Sequence, residues 1–222
     1  MANLVQLKML ENISGVLLVD KPAGLSFATV VKSVKCKFNI VKVGHAGSLE
    51  TMATGLVVLL IGEANKFAEQ MMNADRVYEG TVRIGLKTDT GDTNGRPVEG
   101  ASCQVPVDLS PFKGDIFQTE PRYAAIRKEG AAQYEVVDTG DHARFLAHVY
   151  KLSFEGESFT VMGTKNLIVR ALIDDMNLAL SSLRRTNVGK FSVADALRFD
   201  RLLEIEPKDF ASCVIPLRDA LR

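Results

Sequence analysis

The chain has no surplus of either charge: 27 Lys and Arg are balanced by 27 Asp and Glu over 222 residues. A protein that held nucleic acid by bulk charge would carry a basic excess, so any RNA contact must rest on a local patch. Cysteine is scarce. Cys36, Cys103 and Cys213 stand apart, with no CxxC pair and no histidine at ligand spacing. They read as reduced thiols of a cytoplasmic protein, buried or incidental. No apolar run approaches the ~18–20 residues of a membrane span. The N-terminus lacks the basic, apolar and small-residue zones of a signal peptide. Repeats, low-complexity tracts and the phosphate-cradling patterns GxGxxG and GxxxxGK are also missing. What remains is an ordinary soluble composition, 46% apolar and 24% charged, in a chain long enough to bury a large core.

The most informative stretch is GHAGSLETMATG, residues 44–55. It sets a histidine, three glycines, small hydroxyls and one carboxylate, Glu50, ahead of the continuous apolar run LVVLLIG. That run predicts a strand buried on both faces. A Gly-rich loop at the edge of a rigid strand is a usual place for chemistry. The plainer reading is a tight turn with Glu50 as a solvated acid.

Around this loop the pattern is mixed. GVLLV (15–19) predicts a strand, and Ser26 can cap a helix over 27–39 in which Val30, Val34 and Phe38 recur at helical spacing. Ala64 to Met72 reads as a second helix. RVYEGTVRIGL alternates, placing Tyr78, Gly80, Val82, Ile84 and Leu86 on one face of a strand. Tyr78 is either a core aromatic with a bonded hydroxyl or a functional ring. Residues 87–103 are turn-rich, and Asp108 or Ser110 starts a short helix through Phe117. PRYAAIRKEG predicts a strand entering a turn. HVYKLSFE and SFTVMGT predict a hairpin joined at 155–157. From Asn166 to Arg184 helical spacing returns, with Val169, Leu172, Ile173, Met176, Leu180 and Leu183 as a buried stripe. Arg170 lies off that stripe, four residues before Asp174. It is either an exposed ion pair worth tenths of a kcal/mol or an arginine aimed at a carboxylate or phosphate. SVADALRFDRLLEI predicts a last amphipathic helix. Hairpins dominate without a regular βαβ rhythm, so the expected class is α+β with a largely antiparallel sheet.

Five ordered blocks resemble the bacterial tRNA pseudouridine synthases of the TruB type, which isomerise a uridine in the TΨC arm of tRNA. GVLLVDKPAGLS is similar to the first motif of that family, and GHAGSLETMATGLVVLLIGEANKF to its catalytic motif. DRVYEGTVRIGLKTDTGDTNGRPVE is similar to the block holding the stacking tyrosine. EPRYAAIRKEGAAQYE resembles the start of the RNA-gripping thumb. TKNLIVRALIDD and SLRR resemble the helix of the active-site arginine and the motif after it. The resemblance implies a pseudouridine synthase fold with a thumb hairpin, and a catalytic domain over 1–210. It implies that residues 211–222 are the remnant of a junction to a C-terminal extension, with no room for a full PUA-type domain.

This chain departs from that pattern at several places. Glu50-Thr51 stands where the family has Asp-Pro, and that Asp is the family's catalytic carboxylate. Ser26-Phe27 replaces Thr-Ser. Lys165-Asn166-Leu167-Ile168 replaces Lys-Gly-Thr-Tyr and loses a pocket tyrosine. The chain is shorter between Asp175 and Leu183 and after Tyr134, where Asp138, Asp141 and a lone Arg144 precede Tyr150.

The reaction breaks the C1′–N1 bond of a uridine, turns the uracil and rejoins it through C5, without cofactor or metal. The target nucleotide must first leave its stack. By resemblance, Tyr78 supplies an aromatic face to the flipped base. Glu50 supplies the carboxylate, as nucleophile or base, and Arg170 keeps it charged and oriented. His45 helps hold the RNA. Lys21, Arg122, Arg127, Lys128, Arg184 and Arg185 are further RNA contacts, each of which could equally be a solvated surface charge. The extra methylene of Glu50 displaces its carboxylate by ~1 Å, which can cost about 10²-fold in rate. The expected protein is a cytoplasmic monomer that acts on tRNA slowly. The alternatives are an inactive RNA-binding or RNA-folding homologue and a degenerate fold with no RNA role.

Overall fold

A computed structural model describes residues 13–99, 104–119, 123–128, 131–136 and 144–221; for 123–136 the description is of backbone only. In chain order the elements are β1 (Gly15–Lys21), α1 (Phe27–Phe38), β2 (Val43–His45), β3 (Thr54–Ile61), α2 (Ala68–Met72) and β4 (Arg76–Arg83). There follow β5 (Gly114–Thr119), β6 (Tyr123–Lys128), β7 (Ala131–Val136), β8 (Arg144–Glu155), β9 (Ser158–Gly163), α3 (Val169–Asp175) and β10 (Ala179–Val188). The last are β11 (Phe191–Ser192), β12 (Leu197–Arg198), α4 (Phe199–Glu204), β13 (Ile215–Pro216) and α5 (Leu217–Ala220). No helix among the described residues is long and apolar enough to cross a membrane. The chain divides into two compact units, Met1–Ala74 with Arg185–Arg222, and Asp75–Arg184.

In the first unit the apolar run becomes β3, whose residues Leu56 to Ile61 are all buried. β1 lies antiparallel to it, from Gly15 opposite Ile61 to Lys21 opposite Gly55. β2 pairs the same strand antiparallel, and β12 pairs β1 in parallel. Helix α1 starts as its sequence predicts: the Ser26 hydroxyl accepts from the Thr29 amide. It ends at Asn39, whose left-handed backbone (φ 51°) stops the helix. Val30, Val34 and Phe38 are its buried face, and Phe38 stacks on Phe210 with ring centroids 4.0 Å apart. Residues beyond 210 belong to the same packing: β13 pairs β1, and Ala220 joins the cluster of Val16, Leu18, Val58 and Leu60.

In the second unit β4, β9, β8 and β5 are neighbours in that order, antiparallel throughout. The β8–β9 hairpin turns at Gly156 (φ 60°), within the predicted joint. β6 and β7 form a separate antiparallel hairpin. Gly80 on β4 allows close approach, because a Cβ there would lie 2.3 Å from the Ser182 carbonyl oxygen on β10. The α+β, mostly antiparallel class is therefore as expected.

Four predicted elements differ. The helix expected over 64–72 is a 3-10 turn (Gly62–Phe67) followed by the short α2. The helix expected to reach Phe117 is a 3-10 turn over Ser110–Phe112, then strand β5; Gly114 at φ 76° breaks the turn, and the residues after it alternate. The helix expected over 166–184 ends at Asp175, because Asn177 adopts φ 59° and starts a chain reversal. Leu180 and Leu183 are buried, but on strand β10, where a spacing of three imitated a helical stripe. SVADALRFDRLLEI divides into a 3-10 turn, β12 and the six-residue α4. Of the two described cysteines, Cys36 is exposed and Cys213 half-buried, which leaves Cys36 the incidental reading rather than the buried one.

Candidate functional site

Glu50 lies on the loop between β2 and β3, half-buried, between buried Leu49 and half-buried Thr51. The loop contains no regular structure over 46–53, yet its carbonyls are tightly held. Arg185 donates from Nε to the Leu56 oxygen at 2.8 Å, from Nη1 to Ser48 at 2.8 Å and from Nη2 to Gly47 at 3.3 Å. On the other side of Glu50, Lys21 Nζ donates to the Thr51 oxygen at 3.3 Å, and to Leu25 and Pro22 at 2.9 and 3.0 Å. The Gly24 amide also donates to Thr51, at 2.9 Å. The loop re-enters β3 through Gly55 (φ 103°), where a Cβ would stand 2.3 Å from the Arg185 carbonyl oxygen; no larger residue fits.

These cations set the electrostatics of the loop. Burial first, and then Arg185, push the Lys21 ammonium from 10.5 down to about 8. The same two causes in the same order hold the His45 imidazole below its ordinary 6.5, so it is neutral at pH 7. His45 Nδ1 accepts from the Gly47 amide at 3.1 Å, which leaves the proton on Nε2. Its ring meets Phe27 edge-on, with centroids 4.6 Å apart.

Lys21 gives a direct test. Its folded pKa is below the unfolded one, so between about pH 8 and 10.5 the unfolded chain holds a proton that the folded chain has released, and stability rises with pH across that window. The rise attributable to Lys21 is on the order of 3 kcal/mol. Urea unfolding at pH 7.5, 9 and 10.5 should show the gap between wild type and Lys21→Met shifting in favour of wild type as pH increases. A pH-independent gap would contradict a buried, strained ammonium.

In the second unit, Tyr78 lies on β4, opposite Val161 of β9, and is 7% exposed. Arg170 is on α3 and 5% exposed; its Nη1 donates to the Thr90 oxygen at 2.7 Å. The turn that presents Thr90 is built by Asp92, fully buried, whose carboxylate accepts from the Thr90 hydroxyl and the Asn94 amide. Gly91 (φ 75°) lies against the Arg170 and Asp174 side chains. Gln118 on β5 grips the start of α3: its Nε2 donates to the Ile168 oxygen and its Oε1 accepts from the Ile168 amide, both at 3.0 Å. Burial pushes the Asp174 carboxyl up, against the opposing charges of Lys87 and Arg170.

Residues 35–157 match the family model described as TruB family pseudouridylate synthase (N terminal domain). The chain is 34% identical to tRNA pseudouridine synthase B of Aromatoleum aromaticum over 94% of its own length and 74% of the relative's. The chain belongs to the TruB family. The Opitutus terrae tRNA pseudouridine synthase B is 32% identical, with 95% of both chains covered. Among solved structures, a Cbf5-Nop10-Gar1 complex aligns over 96% of this chain and 63% of its own, at TM-score 0.67 and 22% identity. An H/ACA RNP bound to a substrate RNA containing 2'-deoxyuridine aligns at TM-score 0.66 and 20% identity, over 96% of this chain and 62% of its own. These structural likenesses show the pseudouridine synthase fold.

Several expected positions of this TruB-family chain must be revised. Lys21 (0% exposed) and Arg185 (1% exposed) do not present their cations to solvent as RNA contacts would. Their donors are taken up by carbonyls of the Glu50 loop and its flanks. Arg170 is not an exposed partner of Asp174 but a buried side chain cradled by the 88–95 turn. Arg184 is half-buried on β10. Arg122 lies outside the described residues; Arg127 and Lys128 lie on β6, described as backbone alone. Three residues escaped the sequence reading: Gln118, Thr90 and Asp92. Only the density of Thr, Asp and Gly over 88–95 signalled a rigid turn there.

Proposed function

We propose that residues 1–210 form the catalytic domain of a tRNA pseudouridine synthase, acting in the cytoplasm as a monomer on a uridine of the TΨC arm. The observation that carries this reading is the clamped 47–51 segment. It restrains the main chain on both sides of a half-buried carboxylate, which favours the defined placement that attack on a ribose requires. Family membership and the tRNA-directed names of relatives across nearly the whole chain support the same substrate. The reaction is an isomerisation. The C1′–N1 bond breaks, a C1′–C5 bond forms, the C5 hydrogen leaves to solvent and N1 takes up a proton. In this reading Glu50 acts at the nucleoside as nucleophile or base. Tyr78 offers its ring to the extruded uracil. Arg170 supplies positive charge during bond exchange. His45, being neutral, contacts RNA through its ring or Nε2–H rather than by charge.

The extra carbon of Glu50 puts its carboxylate ~1 Å from where an aspartate would reach, so Glu50→Asp should raise the single-turnover rate by roughly 10- to 10²-fold. Pseudouridine mapping on unmodified tRNA tests both statements. The reading requires product in the TΨC arm from wild type and more of it, sooner, from Glu50→Asp. Salt-dependent tRNA binding with no product from either protein would favour a non-catalytic RNA-binding role.

A further inference from the structure

Among the described residues Arg185 is the largest fully buried side chain, and no carboxylate pairs with it. Burying a guanidinium without a counter-ion is costly, and a fold that needed only volume there would do better with an apolar residue. What Arg185 has instead is three carbonyl acceptors in two different places. Leu56 belongs to the rigid strand β3, whereas Gly47 and Ser48 belong to the irregular loop, just before Glu50. A guanidinium holds its N–H groups in a fixed planar fork, so it sets the spacing between acceptors as a flexible ammonium cannot. The loop needs such a restraint, because Gly47 (φ 106°) and Gly55 (φ 103°) at its two ends both adopt backbone conformations that impose little stiffness. The absent Cβ of Gly55 also lets β3 lie directly against the Arg185 main chain, where a Cβ would stand 2.3 Å from its carbonyl oxygen.

From this we infer that Arg185 is a positioning residue for uridine isomerisation: it fixes the Ser48–Glu50 segment to β3 and so sets where the Glu50 carboxylate stands. The inference deepens the synthase reading and rests on it. It assigns to a buried arginine an effect on rate that is separate from RNA affinity and from bulk stability.

Arg185→Lys keeps the charge but loses the fork. Its single-turnover rate should fall about 10²-fold, as a displaced reacting group does, with little change in affinity for a TΨC stem-loop RNA. Amide hydrogen exchange over 47–53 should quicken. Val34→Ala, a cavity in the buried face of α1, serves as the control for stability. It should lower the melting temperature at least as much, yet leave the rate and the loop exchange unchanged. A wild-type rate in Arg185→Lys, or an equal rate loss in Val34→Ala, overturns the inference. If wild type itself forms no pseudouridine, the synthase reading fails on its own. The exchange data then decide the clamp separately: unchanged exchange over 47–53 in Arg185→Lys overturns it.

Discussion

Glu50→Gln should bind TΨC stem-loop RNA about as well as wild type and form pseudouridine roughly 10²- to 10⁴-fold more slowly, the range for loss of a reacting acid or base. Gln matches Glu in length and shape, so the loop keeps its form. The carbonyls of Gly47, Ser48 and Thr51 remain held by Arg185 and Lys21, whose bonds are to the main chain and do not involve the side chain at position 50. What disappears is the negative charge. In the proposed reading Glu50 drives the first bond exchange, and an amide can neither attack C1′ nor remove a ribose proton. Quenched-flow single turnover on a synthetic TΨC stem-loop, with RNA binding followed in parallel, separates chemistry from affinity. Loss of binding with an unchanged rate on saturating RNA would show that the acid serves recognition instead.

The second large effect is expected at Arg170. Its side chain is buried and committed to the Thr90 carbonyl, and Asp92 and Gly91 shape the turn around it. Arg170→Leu leaves that carbonyl without this donor, which costs about 1–3 kcal/mol of stability. In the proposed synthase reading it also removes a cation that serves the bond exchange, and single donors of this kind are worth about 10²–10³-fold in rate. Arg170→Lys should recover part of the stability, since one ammonium N–H can still reach Thr90, but little of the rate. Urea denaturation beside single-turnover kinetics distinguishes the two losses. If Arg170→Leu lost stability but kept the wild-type rate, Arg170 would be a packing residue only.

Those elements whose cause is local were legible in the sequence. α1 was readable from Ser26 and the spacing of Val30, Val34 and Phe38, because capping and burial act within a few residues. β3 was readable because six apolar residues in succession leave few alternatives, and β4 because its alternation is clean as far as Val82. Segment 166–184 carries helical spacing throughout but is helical only to Asp175, because Asn177, an ordinary polar residue on paper, takes a left-handed conformation. The same holds for the site. The Gly-rich loop carrying Glu50 could be read ahead of its strand, whereas the burial of Lys21 and Arg185 against that loop's carbonyls could not. Both looked like surface cations. Arg185 meets carbonyls 129 to 138 positions away in sequence, and main-chain oxygens carry no residue signature. The holders of Arg170 and its helix, Thr90 and Gln118, were hidden for the same reason.

The account is tested most directly by tritium release. Joining C1′ to C5 expels the C5 hydrogen, so a TΨC stem-loop labelled at uridine C5 reports the bond exchange itself. Wild type should release label in step with pseudouridine formed, while Glu50→Gln binds the same RNA and releases almost none. Bound RNA with no release by wild type, or equal release by both proteins, would contradict it.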